Sequence, residues 1–191
     1  MSLGSIINDD LRRRVGLCRL YPYSLCNITH CLAYADLGAQ AIVMAREVAI
    51  YQRRRVSSIY LHEVGHIIAA NEGIDADPDA RTHNRYFACL VAVMYRRVGL
   101  LDCLHVYDFA DTHDRQSSFG TSLDLPDDGE LADRFSYILH RSAQLAPLPL
   151  SIEQIARKIY QEDVFPAWTG RAWHTSRKPA PSRWRAWFGI A

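Results

Sequence analysis

The chain has 191 residues, 49% of them hydrophobic, with a formal net charge of +1 and a pI near 7.7. A chain of that size fits one domain, with a core large enough to fold without disulfides or a structural metal. The near-neutral balance excludes any argument from overall charge for nucleic acid or an acidic substrate.

Five cysteines, Cys18, Cys26, Cys31, Cys89 and Cys103, form no C-x-x-C pair and leave one over in any disulfide scheme. That pattern points to reduced thiols and a cytoplasmic address. The N-terminal MSLGSIINDDLRRRVGL lacks the basic and then apolar order of a signal peptide, and no apolar run reaches the length of a membrane span.

Along the chain, residues 1 to 39 show no sustained period and are expected to form short helical pieces. Residues 38 to 45, GAQAIVMA, are a β-competent run whose edge could pair with an extended substrate. In the segment that follows, Val56, Ile59, Val64, Ile67 and Ile68 recur at helical spacing, so a long buried helix is expected, closed by Gly73 as its C′ residue. Asp77-Pro78 then supplies an N-cap and an N1 proline for a second helix, with Phe87, Leu90, Val91, Met94 and Val98 as its inward stripe.

A polar, turn-rich loop is expected from about 111 to 129, long enough to serve as a lid. Two more helices follow, ELADRFSYILHRSAQL and SIEQIARKIYQEDVF, the second opening on a Ser151/Gln154 capping box. From residue 166 onward there is no acidic residue, five basic residues appear, and all four tryptophans of the chain are found: Trp168, Trp173, Trp184 and Trp187. The chain therefore divides into a domain, residues 1 to 165, and a basic Trp-rich tail, residues 166 to 191. The tail suits stacking on nucleobases while neutralising phosphates, lying at a membrane surface, or docking on the parent domain or a partner protein.

The chemistry is concentrated in YLHEVGHIIAANEG, residues 60 to 73. His62 and His66 stand four apart, so on a helix their imidazoles share one face and can bind one zinc ion at ~2.0 to 2.1 Å. Glu63 lies off that line, where its carboxylate can take a proton from a water activated by the metal and pass it to a leaving amine. Two histidines and a glutamate on an otherwise apolar helix are costly to bury without partners, which argues against a helix that merely carries satisfied histidines.

A catalytic zinc of this type needs a third protein ligand. Asp79 and His83, four apart on the expected second helix, are the candidates; Asp79 is alternatively a first-turn acid favoured by the helix dipole. Tyr86 and His105 are candidate donors to a tetrahedral oxyanion.

HEVGH followed by THNRYFACLVAV resembles the SprT-like zinc metalloproteases, in which H-E-x-x-H is followed on the next helix by a ligand histidine in an H-G-x-x-(F/W) context. His83 and Phe87 match that register, with Asn84 in place of the glycine. The lead-in AIVMAREVAIYQRRRVSSIYLHEVGHII is similar to the ImmA/IrrE-type metallopeptidases. Aligning that family's acidic ligand on this chain, however, puts Ala80 or Arg81 where it should stand, which favours His83. The resemblance covers about residues 38 to 95 and implies an α+β fold: a mainly helical, zincin-like core with a small sheet, its active-site helix carrying HEVGH. The activity implied is a zinc peptidase acting on protein or peptide, with His62, His66 and His83 as ligands and Glu63 as general base. The alternative is a non-catalytic zinc-binding module whose Trp/Arg tail engages nucleic acid or a protein partner.

Overall fold

In the computed structural model, which describes residues 3–74, 83–104 and 128–167, the first helix, α1 (Asp9–Val15), opens on the Asn8 side chain and closes on Gly16 at φ +85°. Two short strands follow, β1 (Tyr23–Cys26) and β2 (Ala33–Asp36), and then β3 (Ala41–Ala45). Of the stretch expected to form short helical pieces before residue 39, the first part does so, as a 3-10 turn (Leu3–Ser5) and α1, while the rest forms two strands. Their exposure does not alternate, because what makes them strands is pairing with β3, where Ile42 and Met44 are fully buried.

The sheet has the order β1-β3-β2, with β1 parallel and β2 antiparallel to β3. The strand expected at 38 to 45 is therefore real but central, and both its edges are taken. An extended chain pairing beside the HEVGH helix would have to use β2 instead. The connection from β1 to β2 passes over the end of β3, held by the Ala45 amide donating to Leu32 O at 2.8 Å.

A 3-10 turn (Arg46–Ile50) separates β3 from α2 (Arg53–Glu72). Of the apolar stripe expected on α2, Val56, Val64, Ile67 and Ile68 are buried and Ile59 is only half-buried, while Tyr60 and Leu61 join the core beside them. Gly73 closes α2 at φ +78°, its amide donating to Ala69 O, as expected of a left-handed C′ glycine. The Tyr60 hydroxyl donates to Tyr21 O and accepts from the Tyr21 amide, at 2.9 and 3.0 Å, and so fastens α2 to the approach of β1. Burial pushes that hydroxyl's pKa up to about 12.

The next helix, α3 (Arg85–Val98), begins at an Asn84 N-cap rather than at Asp77-Pro78, which lies outside the described residues. Every residue from 86 to 95 is buried, because α1, α2, α4 and α5 all pack around α3. α4 (Asp128–Leu145) covers one side of it, and α5 (Ile152–Ile159) opens on the capping box read from the sequence, with both reciprocal Ser151–Gln154 bonds formed. One π-helical turn (Tyr160–Val164) extends α5. Arg97, near the end of α3, bonds three backbone carbonyls, Val15 O, Ala146 O and Leu148 O, and ties the termini of α1 and α4 to the core.

The architecture is mixed α+β, mostly helical with a small three-stranded sheet. Among the described residues no helix is long and apolar enough to cross a membrane. Asp79, His105, residues 111 to 127 of the expected polar loop and all four tryptophans of the tail lie outside the described residues, while Asp128 and Gly129, expected in that loop, begin α4.

Candidate metal centre

Helix α2 sets the first two histidines: His62 and His66 stack one turn apart on one face, with their Nε2 atoms 3.2 Å from each other. The third arrives from the chain entering α3. His83 lies in the turn just before Asn84, not on the helix as the sequence spacing implied, and its Nε2 is 3.2 Å from that of His62 and 3.1 Å from that of His66. Asn84 fixes this placement. Its Oδ1 accepts from the Tyr86 and Phe87 amides at 3.0 and 2.8 Å, and its Nδ2 donates to Ile74 O at 3.1 Å, so one buried side chain both starts α3 and ties it to the exit of α2.

Two further residues complete the seat. The Phe87 ring stacks on His66 at 4.2 Å and 18°, and meets His62 and His83 at 5.2 Å each, so it forms an apolar floor common to all three rings. Gly65 permits the approach of the helices: a Cβ there would lie 3.0 Å from Val91 Cγ2 and 3.3 Å from Phe87 Cε2. A side chain at that position is therefore tight, and the Val91 and Phe87 side chains must give by a few tenths of an ångström to admit it.

Three imidazole nitrogens in mutual contact cannot satisfy one another. Each Nε2 either carries a proton or offers a lone pair, so at least two of the three are alike and at least one pair is repulsive. A cation at their common focus removes that conflict, because all three can then present lone pairs to it. The spacing fits: donors around a tetrahedral zinc with bonds of ~2.0 to 2.1 Å lie ~3.3 Å apart. His62, His66 and His83 form a group that can hold a metal ion, with His83 buried and the other two half-buried.

Glu63 is buried, turned about the helix axis from the histidine row. Burial first, and then the Glu63 charge, push the Cys31 thiol above its ordinary value. Tyr86, named from the sequence as a candidate oxyanion donor, is buried. Its hydroxyl accepts from Arg85 at 2.8 Å and its ring meets Tyr137 of α4 edge-on at 5.8 Å, while Arg85 lies over both rings. It is the neighbouring Phe87 that faces the histidines.

Replacing Asn84 tests the seat. Asn84→Ala removes two cap bonds and the bond to Ile74 O, and lowers stability by about 1 to 3 kcal/mol. Asn84→Asp keeps the cap but turns an acceptor on the Ile74 carbonyl, so α3 still starts in place while metal affinity falls. Denaturant unfolding, together with chelator competition on each variant, measures both effects.

No family model, no curated protein and no solved structure matches the chain. What the site can do therefore follows from its own geometry: three neutral nitrogen donors suited to a borderline metal ion, with a buried carboxylate on the adjacent residue.

Proposed function

We propose that the protein is a zinc-dependent peptidase of the H-E-x-x-H type, with a zincin-like core that hydrolyses peptide bonds in a protein or peptide substrate. The observation that carries this reading is the convergence of three histidine Nε2 atoms at 3.1 to 3.2 Å beside a buried glutamate. A structural zinc is usually closed by four protein ligands and has no use for a base, whereas three histidines leave a position open.

A bound zinc ion supplies a Lewis acid that polarises a carbonyl and makes water acidic near neutral pH. The protein's own groups do the rest. His62, His66 and His83 hold the ion, Phe87 keeps water from their inner side, and Glu63 accepts the proton of the attacking water and returns it to the leaving amine. An extended substrate has its backbone partner at β2, the edge strand packed on α2. The free state of all five cysteines accords with a reducing compartment, and we place the protein in the cytoplasm.

The test is cleavage of casein or a quenched peptide library by purified protein. Activity should disappear on treatment with a chelator and return with about one equivalent of zinc. Protein that binds zinc but cleaves nothing, alone or with added partners, would instead be the non-catalytic module, with the histidines serving a scaffold.

A further inference from the structure

Two arginine triplets, Arg12-Arg13-Arg14 on α1 and Arg53-Arg54-Arg55 at the start of α2, lie some forty residues apart in sequence. Arg14 Nη2 donates to Val98 O at 3.3 Å and Arg54 Nη2 donates to Gly99 O at 3.2 Å, so one arginine of each triplet reaches adjacent carbonyls at the C-terminal end of α3. Asp9, Asp10 and Asp102 pair with Arg12, Arg14 and Arg54. Arg13, Arg53 and Arg55 are exposed and carry no ion pair among the described residues.

The start of α2 adds to the positive potential. Its first turn contains no acid, and Gln52 at the N-cap makes no side-chain cap bond, so three cations crowd the end of the helix that already repels them. Beside them Ile50 is 84% exposed, whereas the other exposed large hydrophobic residues among the described residues reach 49% at most. Ile50, Tyr51, Gln52 and Arg55 line one recess, and the Arg55 guanidinium stacks over the Tyr51 ring at 4.4 Å.

We propose that this face docks on an anionic lipid surface. A partner made of phosphates alone uses the arginines but leaves Ile50 in water. A bilayer interface uses every component: the isoleucine below the headgroups, the tyrosine at their level, and the guanidiniums on the phosphates, to which they bond in bidentate fashion. Since a helix rises 1.5 Å per residue, His62 and His66 stand roughly 14 to 20 Å along α2 from Arg53. Docking there holds the histidine cluster at a set height above the membrane, where membrane-associated proteins present their chains. The inference concerns a surface apart from the metal centre and stands or falls independently of peptidase activity.

Sedimentation of the full chain with vesicles tests it. The protein should bind vesicles that contain about a third phosphatidylserine and ignore phosphatidylcholine alone. At about fivefold per arginine, the combined Arg13→Gln, Arg53→Gln and Arg55→Gln variant should bind roughly a hundredfold more weakly. Ile50→Ser should bind about tenfold more weakly while leaving all charges in place. Both variants alter only exposed side chains, so unchanged circular dichroism and zinc content are expected of them. The proposal is overturned if phosphatidylserine vesicles are not bound, if either variant binds them as the parent does, or if the same arginines retain an oligonucleotide while vesicles are ignored.

Discussion

Purified protein should contain about one zinc per chain, and His62→Ala, His66→Ala or His83→Ala should each weaken binding by roughly a hundred- to a thousandfold. The magnitude follows from the ~10 to 16 kcal/mol of apparent free energy that holds a four-ligand zinc, which is ~3 to 4 kcal/mol for each ligand lost. The three substitutions should be equivalent, because the three nitrogens stand at nearly equal distances from one another, 3.1 to 3.2 Å. Thermal unfolding gives a second readout: zinc at a hundred times its dissociation constant stabilises the parent by about 2.7 kcal/mol, and each variant should lose that increment. Asp79→Ala serves as the control and should keep its zinc. If Asp79→Ala loses the metal while His83→Ala retains it, the site is of the two-histidine, one-carboxylate kind and the triad is only a cluster of rings.

How far the sequence anticipated this centre differs from residue to residue, for physical reasons. The α2 helix was legible because a buried helix must repeat its apolar residues every three to four positions, and its left-handed C′ position demands a glycine, which Gly73 supplies. The Ser151/Gln154 box was legible because both partners are local in sequence. β1 and β2 were not, since a four-residue strand gains its stability from the neighbour it pairs with, and here both neighbours are β3.

His83 is the instructive case. Its register against Phe87 made it a candidate ligand, yet the sequence reading set it on a helix that started at Asp77-Pro78. The sign of the true boundary was present: Asn84 stands two residues before a run buried from Tyr86 to Tyr95, and asparagine is among the best N-caps. A ring on the turn before a helix can swing toward a neighbouring helix more freely than one committed to a helical row. The same Asn84 is held by three hydrogen bonds, two that cap α3 and one to Ile74 O. Gly65 and the Phe87 floor could be read only from the crossing of α2 and α3, because nothing local to either residue shows which helix it meets.

Glu63→Gln should retain zinc and lose peptide hydrolysis by two to four orders of magnitude. The side chain is buried, so the substitution must preserve shape to be interpretable, and glutamine does so while removing the only property in question, the ability to accept a proton. Its amide presents a donor where the carboxylate had an acceptor, so the attacking water keeps its proton and the leaving amine receives none. Substrate affinity should change little, which puts the loss in kcat rather than in KM. Glu63→Asp provides the graded comparison: the base survives but withdraws by one methylene, and activity should fall between those of the parent and the amide. If turnover in Glu63→Gln equals that of the parent while zinc content is unchanged, the proton acceptor is another group and Glu63 is held in the α2 interior for packing alone.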